Sequence, residues 1–391
     1  MEDSRFVDAK RVKAKHLRGY GLEWFARHID EGYLVDEAVA ITAAERDAYA
    51  AFAKTCYDDL EHATRALLGG DYREEFGLSR RLWDLARESL TRGDTHVLGR
   101  FDVSGVLAGA GPGQLIEFNA DTATVLAEAA LVQDVQLRSR DTWNDIVCTI
   151  ADRLREVAAA RPPDDRDVLI VTLGGGEDDD NAAVWRLAAE EAGLHADLAH
   201  LPSVTFSPGE GVFRQLNKDE WYRYGILVKM IPWDWIDTEE PQLLDDLAAL
   251  MRDGSIAVVN PPYASLMQSK AMLAELHRRH RDREAYLRAG WGAAPRDGGR
   301  YVEKPLFGRE GENVSVHEPD GSVSARADGD YAAQPRVWQA FATLPTDSDG
   351  DAYQAGVYWA GEPCGIAFRR RDGPIVDEDA EFVSVFVQQP A

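Results

Sequence analysis

The period of the hydrophobic pattern changes several times along this chain, and each change predicts an element of secondary structure. Between residues 43 and 69, apolar side chains recur every three or four positions, which is typical of an amphipathic helix. Thr42 and Glu45 have the spacing of a capping box at its start, and Gly69 follows at its end. Further helices are expected near residues 78–91 and across residues 124–157.

Continuous apolar runs replace the helical period in the middle of the chain. Residues 168–173 form such a run. It is followed by three glycines, by a helix expected to begin around Asn181 and by a strand at residues 196–201. Buried parallel strands have this continuous character, so the order predicts a small α/β unit. After residue 300 the pattern is mainly one of short strands with Asp-rich turns. The fold class predicted is therefore α/β (α+β).

Composition narrows the range of partners. The 391 residues carry a formal net charge of −25. A surface this acidic repels nucleic acid and anionic membranes, and we expect neither as a partner. It suits a cationic substrate, although acidity also serves solubility. Cys56, Cys148 and Cys364 are too far apart for a disulfide framework or a cysteine zinc site, and no signal peptide or membrane span is apparent, so a cytoplasmic protein is expected.

Residues 97–124 have the pattern of a β-hairpin that carries oxygen ligands. One arm contains Arg100 and Asp102, the other contains Glu117 and Asn119, and a glycine-rich turn lies between them. Side chains two residues apart on a strand share a face, so Asp102, Glu117 and Asn119 converge if the arms pair. Three hard oxygen ligands suit Mg²⁺ bound between protein and nucleotide phosphates. A solvated hairpin face with a surface ion pair has the same pattern.

Two further groups of charged residues have candidate chemistry. The acidic run at residues 177–180 after the glycines would repel phosphate, so it favours an amine or other cation, or simply complements a helix dipole. Lys270 and Lys304 adjoin apolar segments, and Arg309 lies in a glycine-flanked loop. These cations could neutralise triphosphate oxygens, although lysines beside apolar segments are often surface residues with buried stems.

Several motifs, in chain order, resemble the synthetase half of the glutathionylspermidine synthase family, which consists of ATP-grasp carboxylate–amine ligases. They are Arg100-x-Asp102, L-I-E-F-N-A-D-T at 115–122, I-P-W-D-W at 231–235, N-P-P at 260–262 with S-K-A at 269–271, V-E-K-P-x-x-G-R-E-G-x-N at 302–313, and C-G-I-x-x-R at 364–369. The match spans nearly the whole chain, without an amidase half.

The resemblance implies an ATP-grasp-like fold with a small α/β (pre-ATP-grasp) unit before it and a helical N-terminal segment. The expected domains are residues 1–160, which include the metal-binding hairpin 97–124, residues 161–260 as the substrate-side unit, and residues 261–391 as the nucleotide-binding region with a lid at 308–313.

The resemblance also implies residue roles. Asp102, Glu117 and Asn119 would hold Mg²⁺, and Arg100 would stabilise the tetrahedral transition state. The ATP-binding residues would be Lys270, Lys304, Gly308, Arg309, Gly311, Trp338, Gln339 and Arg369. The substrate residues would be Thr122 on the acid side and Glu177, Asp178 and Asp179 on the amine side.

The implied activity is amide formation between a small-molecule carboxylate, possibly peptidic, and an amine. An acyl phosphate would be the intermediate, with ATP as co-substrate and Mg²⁺ as cofactor, and ADP and phosphate would be released. Two alternatives stay open from the sequence: a nucleotide-binding protein that has lost ligation, and a phosphotransferase that gives a stable phosphorylated product.

Overall fold

The structure is a computed structural model that describes residues 5–138, 140–292, 294 and 299–388. Its strands are β1 (Phe6–Asp8), β2 (Leu34–Thr42), β3 (Gly99–Ser104), β4 (Gln114–Asn119), β5 (Val168–Thr172), β6 (Ala196–His200), β7 (Val204–Ser207), β8 (Gly211–Asn217), β9 (Glu220–Tyr224), β10 (Ile226–Lys229), β11 (Ala257–Val259), β12 (Ala289–Trp291), β13 (Tyr301–Pro305), β14 (Ser315–His317), β15 (Val323–Arg326), β16 (Arg336–Ala340), β17 (Ala352–Trp359), β18 (Pro363–Arg371) and β19 (Glu381–Gln388).

Its α-helices are α1 (Ala14–Gly19), α2 (Glu23–Arg27), α3 (Ala43–Leu68), α4 (Arg80–Arg92), α5 (Gln133–Leu137), α6 (Ile146–Ala159), α7 (Glu177–Glu191), α8 (Trp233–Glu239), α9 (Pro241–Arg252), α10 (Ala264–Gln268) and α11 (Ala271–Arg279). The long helix predicted at residues 43–69 is confirmed as α3, and its capping box forms: Thr42 Oγ1 accepts from Glu45 N, and Glu45 Oε2 accepts from Thr42 N.

A seven-stranded sheet joins the two ends of the chain, in the order β1-β2-β19-β18-β17-β3-β4. β2 and β19 pair in parallel, and β3 and β4 form the predicted antiparallel hairpin. Phe101 and Phe118 stack across this hairpin with ring centroids 4.1 Å apart and fix its apolar face against the core. The hairpin therefore rests on a sheet built from distant parts of the sequence. The domain boundaries at residues 160 and 260 stay a prediction, since this sheet combines strands from the first and third segments.

The predicted α/β unit is confirmed as a parallel sheet in the order β11-β10-β5-β6. Every residue of β5 is buried, as its continuous apolar run requires. α7 packs against β5 and β6, and it begins at Glu177 rather than around Asn181. The expected start was wrong because four acidic residues in a first helical turn are stabilised by the helix dipole.

The predicted helix across residues 124–157 is wrong, because the segment is interrupted. A π-helical turn covers Glu128–Val132, α5 follows, and α6 begins only at Ile146. Tertiary hydrogen bonds hold the interruption open: Asn144 Nδ2 donates to Ala130 O at 2.9 Å, and Asp145 N donates to Cys364 O at 2.8 Å. Such contacts override a helical pattern that is itself only a weak preference.

Two smaller sheets complete the architecture. One has the order β12-β16-β13-β14-β15 and carries Lys304 on β13, and the other is the antiparallel ribbon β7-β8-β9. Among the described residues, the helices lack the length and apolar character that crossing a membrane would require.

Candidate functional site

One cleft of about 630 Å³ collects nearly all the residues that the sequence singled out. It is lined by Arg100, Asp102, Glu117, Asn119, Thr122, Glu177, Asp178, Lys270, Lys304, Gly308, Arg309, Gly311, Gln339 and Arg369. They lie on β3, β4 and β18 of the seven-stranded sheet, on β13 and β16 of the five-stranded sheet, at the starts of α7 and α11, and in the loops between these elements. Trp338 and Asp179 are not among the lining residues.

The hairpin arms bring the three oxygen ligands to one face of the seven-stranded sheet. Asp102 on β3 lies opposite Glu117 on β4, and Arg100 lies opposite Asn119. The guanidinium of Arg100 donates to both carboxylate oxygens of Asp102, at 2.7 and 3.1 Å, and to Thr124 O at 2.6 Å. Asn119 Nδ2 donates to Asp102 Oδ2 at 3.2 Å. Arg100 is therefore fixed in direction beside the proposed metal ligands.

Two carboxylates directly opposite each other repel, so the hairpin needs nearby positive charge. Lys270 Nζ lies 2.9 Å from Glu117 Oε2. Burial alone would raise the pKa of Glu117, but Lys270 and Lys304 lower it to about 2. Burial raises the pKa of Asp102 against the opposing effect of Arg100. Lysine and arginine thus neutralise the two buried carboxylates, and each carboxylate keeps lone pairs for a bound cation.

The two lysines predicted to bind phosphate are both buried at the cleft wall. Lys270 Nζ also donates to Gly308 O at 2.7 Å, which joins it to the predicted lid. Lys304 Nζ donates to Ile116 O at 2.9 Å, next to Glu117. Burial lowers the pKa of Lys304 to about 8, and the charge of Glu117 partly opposes this effect. Both ammonium groups point at the hairpin that carries the oxygen ligands.

The predicted lid at residues 308–313 is held against two other parts of the chain. Arg309 Nη2 donates to both oxygens of Asp234, at 2.8 and 2.9 Å, and its Nη1 donates to the Tyr331 hydroxyl at 3.1 Å. Gly311 has a φ of +72°, and a Cβ there would lie 2.9 Å from Val376 O. Glycine is required at this position because both the backbone conformation and the close approach exclude a side chain.

Arg369 and Gln339 line the cleft, whereas Trp338 does not. Arg369 lines the cleft and donates to Asp377 O at 2.8 Å, whereas Arg370 pairs with Glu37 and Glu381. Gln339 on β16 faces the cleft and donates to Leu115 O at 2.9 Å. The Trp338 side chain packs over Gly290 instead, because neighbouring strand residues face opposite sides.

The acidic end of the cleft lies at the first turn of α7. Glu177 and Asp178 line the cleft, and burial together with neighbouring carboxylates raises the pKa of both, to about 8 for Glu177. Asp179 turns away: its oxygens accept from Thr172 Oγ1 at 2.7 Å and Gly175 N at 3.1 Å, and its Oδ2 lies 3.1 Å from a ring nitrogen of His200. Asp179 therefore closes the glycine turn and does not reach the cleft.

The oxygen ligands of the hairpin fit Mg²⁺ only if a nucleotide supplies further ligands to the same ion. Among the described residues, no group of three or more His, Cys, Asp or Glu side chains is placed to hold a metal ion. Asp102, Glu117 and the amide oxygen of Asn119 give two carboxylates and one neutral oxygen. Magnesium typically takes one or two carboxylates from protein and completes its shell with phosphate oxygens and water. The residues present therefore fit an ion held jointly with a nucleotide.

Sequence reasoning missed the residues that support the hairpin from behind. Gln268 Oε1 accepts from Ala120 N and Asp121 N, at 2.7 and 3.1 Å. Asn260 donates to Leu98 O and Asp121 O, both at 2.8 Å. Lys229 Nζ and Asp121 Oδ1 form a buried ion pair at 2.5 Å. Asp121 and Asn260 both lie within quoted motifs, E-F-N-A-D-T and N-P-P, but the motifs alone gave no role because the side-chain partners of both are more than a hundred residues away.

The cleft also includes residues that are not among the predicted site residues. Tyr33, Glu310, Glu312 and the segment 374–379 all line it. The last segment contributes three further carboxylates at residues 377–379. The acidic end is thus larger than the run at 177–178 suggested.

Known proteins resemble this chain in sequence and in fold. A protein of Haemophilus influenzae named as a candidate acid–amine ligase is 25% identical over 338 residues, which cover 83% of this chain and 82% of that protein. Trypanothione synthetase of Crithidia fasciculata is 24% identical over 361 residues, 86% of this chain but 54% of the relative. A solved glutathione synthetase-like effector of Globodera pallida shares the fold with a TM-score of 0.56 at 10% identity, over 90% of this chain and 89% of that one.

The predicted ATP-grasp-like α/β fold is therefore confirmed. The sequence model of the family described as glutathionylspermidine synthase preATP-grasp matches residues 5–388. The chain therefore belongs to the glutathionylspermidine synthase family of ATP-grasp carboxylate–amine ligases.

Proposed function

We propose that this chain uses ATP and Mg²⁺ to join a carboxylate to an amine through an acyl phosphate, with release of ADP and phosphate. The observation that carries the proposal is the meeting of Arg100, the Asp102–Glu117–Asn119 hairpin face and two buried lysines in one cleft. Hard oxygen ligands beside convergent cations are what phosphoryl transfer from a nucleotide requires.

Each group has a distinct part in the first step. Lys270 and Lys304 bind and neutralise the phosphates, while Asp102, Glu117 and Asn119 hold the metal. Mg²⁺, when bound, supplies positive charge that draws electrons from the phosphoryl group. The substrate carboxylate attacks the γ-phosphorus, the bond to ADP breaks, and a mixed carboxylic–phosphoric anhydride forms. Thr122, on the cleft wall after β4, contacts the acid substrate.

Arg100 acts in the second step. The amine attacks the carbonyl carbon of the acyl phosphate, and negative charge develops on the carbonyl oxygen. A guanidinium held by Asp102 and Thr124 O is already oriented, so its donors need no rearrangement as that charge appears. The loop at 308–313 excludes water, which would otherwise hydrolyse the acyl phosphate.

The acidic end of the cleft favours an amine that binds as an ammonium ion. Glu177 and Asp178 lie on one wall, and Glu310, Glu312 and residues 377–379 add carboxylates on others. Negative charge concentrated in a partly enclosed cleft attracts cations and disfavours a second anionic substrate there.

The test is release of ADP and phosphate when ATP, Mg²⁺ and carboxylate–amine pairs are supplied, with Arg100→Ala and Asp102→Asn as inactive controls. AMP and pyrophosphate as products would contradict acyl-phosphate chemistry. A phosphorylated product that persists in the presence of amine would select a phosphotransferase instead. Tight ATP binding without turnover on any pair would select a protein that has lost ligation.

A further inference from the structure

A buried carboxylate lies behind the acidic wall of the cleft without an ion pair to any described residue. Glu128 has no exposed surface, and its Oε2 has no hydrogen-bond partner in the described chain. Its Oε1 accepts a short hydrogen bond from the Tyr33 hydroxyl. Burying a carboxylate is unfavourable unless it is paired or fully hydrogen-bonded, so the position of Glu128 calls for a functional reason. Glu128 also begins a π-helical turn, a feature common at functional sites.

Side-chain to backbone hydrogen bonds fix Glu128, Tyr33 and Glu177 in one arrangement. Asn181 on α7 accepts from Leu126 N at 2.9 Å and donates to Glu177 O at 3.2 Å. The start of α7 is thereby tied to the segment that carries Glu128. Its neighbour Asp180 accepts from Phe25 N at 2.9 Å and so ties α7 to α2, shortly before Tyr33. Three separate parts of the chain are locked around these groups.

The charges around the two glutamates are unbalanced. The charges of Glu128, Glu310 and Arg369 act on Glu177, while the Tyr33 hydroxyl and the charges of Arg369 and Arg100 act on Glu128. Tyr33 and Glu177 line the cleft, and Glu128 lies behind them. Burial and the charge of Glu128 raise the pKa of Glu177 to about 8. Two carboxylates that share a desolvated site cannot both ionise readily, so the pair tends to retain one proton.

We infer that Glu177 accepts a proton from the ammonium substrate as it attacks, and that Glu128, held by Tyr33, is the positioning residue that sets this proton affinity. The inference rests on the proposed ligase function. A general base works best when its proton affinity suits the operating pH, and the geometry gives Glu177 both access to the cleft and a charged neighbour behind it.

The step balances in atoms and charge. An ammonium nitrogen has three protons and an amide nitrogen keeps one. Glu177 takes the first proton, and the freed electron pair forms the C–N bond to the acyl carbon. The C–O bond to phosphate breaks with its electron pair, and the phosphate leaves with the second proton. Glu177 then releases its proton to solvent through the cleft.

The experiment compares amines of different basicity in Glu177→Gln. With an alkyl amine that supports ADP release by the wild-type protein, we expect kcat to fall by about 10² or more, the usual size of a general-base contribution. With hydroxylamine, which is unprotonated at neutral pH, ADP and hydroxamate should form at close to the wild-type rate. An equal loss with both nucleophiles would overturn the inference.

Asp178→Asn is the matched variant, since it removes a carboxylate from the same turn and the same wall. In this variant we expect a higher KM for the alkyl amine. The value of kcat should change by the same factor with the alkyl amine as with hydroxylamine. A loss confined to the alkyl amine, as in Glu177→Gln, would show a general charge effect and would overturn the assignment of the proton acceptor to Glu177.

The role of Glu128 has its own readout in the pH profile. Glu128→Gln removes the adjacent charge, so Glu177 should lose its proton at lower pH, and the rising acid limb of kcat/KM should move to lower pH by about one unit or more. An unchanged limb would overturn the positioning role. Hydroxamate formation by each variant shows that it is folded and activates the acid. Absence of ADP release by the wild-type protein with every pair would instead refute the proposed function itself.

Discussion

Lys229 Nζ lies 2.5 Å from Asp121 Oδ1, and both side chains are almost completely buried beneath the cleft. Asp121 also accepts from Trp233 N at 2.6 Å, and the Lys229 ammonium lies over the Trp233 ring. This pair connects the end of the hairpin to the end of β10 in the parallel sheet. It therefore fixes the two parts of the cleft to each other, and neither side chain lines the cleft.

We expect Lys229→Met to lower the free energy of unfolding by about 3–5 kcal/mol, because it leaves the Asp121 carboxylate buried without its counter-charge. Chemical denaturation followed by circular dichroism measures this loss. Lys54→Met is the matched control: Lys54 pairs with Asp58 on α3, where both side chains are more than half exposed, and its loss should stay within about 1 kcal/mol. Equal effects of the two variants would refute a structural role for the buried pair.

Arg100 is expected to act through its planar, two-pronged geometry as well as its charge. Arg100→Lys keeps the charge but cannot reproduce two contacts to Asp102 and one to Thr124 O together. We predict that kcat falls by about 10²-fold or more while the Kd for ATP changes by no more than a few-fold. Steady-state ADP release and ATP titration give the two quantities.

Arg65→Lys is the control for Arg100→Lys, since Arg65 lies on the exposed face of α3 and pairs with Glu61 one turn away. It should leave both kcat and the Kd for ATP at wild-type values. If Arg100→Lys retained near-wild-type kcat, positive charge alone would suffice and the geometric role would be wrong.

The part of the site that could be predicted from sequence is the part encoded locally. Asp102 and Glu117 are separated by a single glycine-rich turn, so strand alternation alone places them on one face once the arms pair. The capping box of α3 is local in the same way. Glu177 was found because its acidic run is continuous in sequence, and residue motifs then located Lys270 and Lys304.

What could not be predicted depends on long-range partners. Arg309 is held by Asp234, 75 residues away, and Asn260 contacts Leu98 and Asp121 across more than 130 residues. The break before α6 is fixed by contacts to β18, and no local pattern encodes it. Glu128 looked like one more polar residue of a long helix. Only the tertiary structure, in which Tyr33 donates to it and Asn181 ties α7 to its segment, reveals a buried carboxylate.

Glu117→Gln should raise the Mg²⁺ concentration required for half-maximal ADP release and lower the maximal rate by about 10²-fold. The amide keeps an oxygen ligand but removes the negative charge that attracts the ion, and it leaves Lys270 without its partner. Magnesium titrations at saturating ATP test this expectation. Asp58→Asn removes an equal charge from an exposed position on α3 and should leave the magnesium requirement unchanged. An unaltered requirement in Glu117→Gln would exclude Glu117 as a metal ligand.

The buried ring of His96 contributes to the acid sensitivity of the fold. His96 Nε2 lies 2.7 Å from Ala120 O, and burial lowers the pKa of His96 to about 4. The unfolded chain therefore takes up a proton at a higher pH than the folded protein does. Its contribution is complete above about pH 6.5 and is lost as the pH falls toward 4, by up to about 3 kcal/mol.

Urea denaturation at pH 7 and pH 5 isolates this effect. His96→Gln has no titrating ring, so its stability should fall less between the two pH values than that of the wild-type protein. His62→Gln, at an exposed position on α3, should follow the wild-type pH dependence. A wild-type slope in His96→Gln would show that His96 is not the responsible group.

A comparison of Gly311 with Gly321 distinguishes the effect of a left-handed backbone conformation from the effect of close packing at the lid. Both have a left-handed φ, +72° and +86°, so alanine costs about 1 kcal/mol of strain at either position. Only at Gly311 would the new Cβ meet Val376 O and the Ile375 side chain at 2.9 Å, whereas the space at Gly321 is open. We expect Gly311→Ala to displace the lid and to admit water. ADP release should then exceed amide formation several-fold, while Gly321→Ala should keep the two equal. If ADP release and amide formation stayed equal in both variants, closure of 308–313 against 375–376 would not be what protects the acyl phosphate.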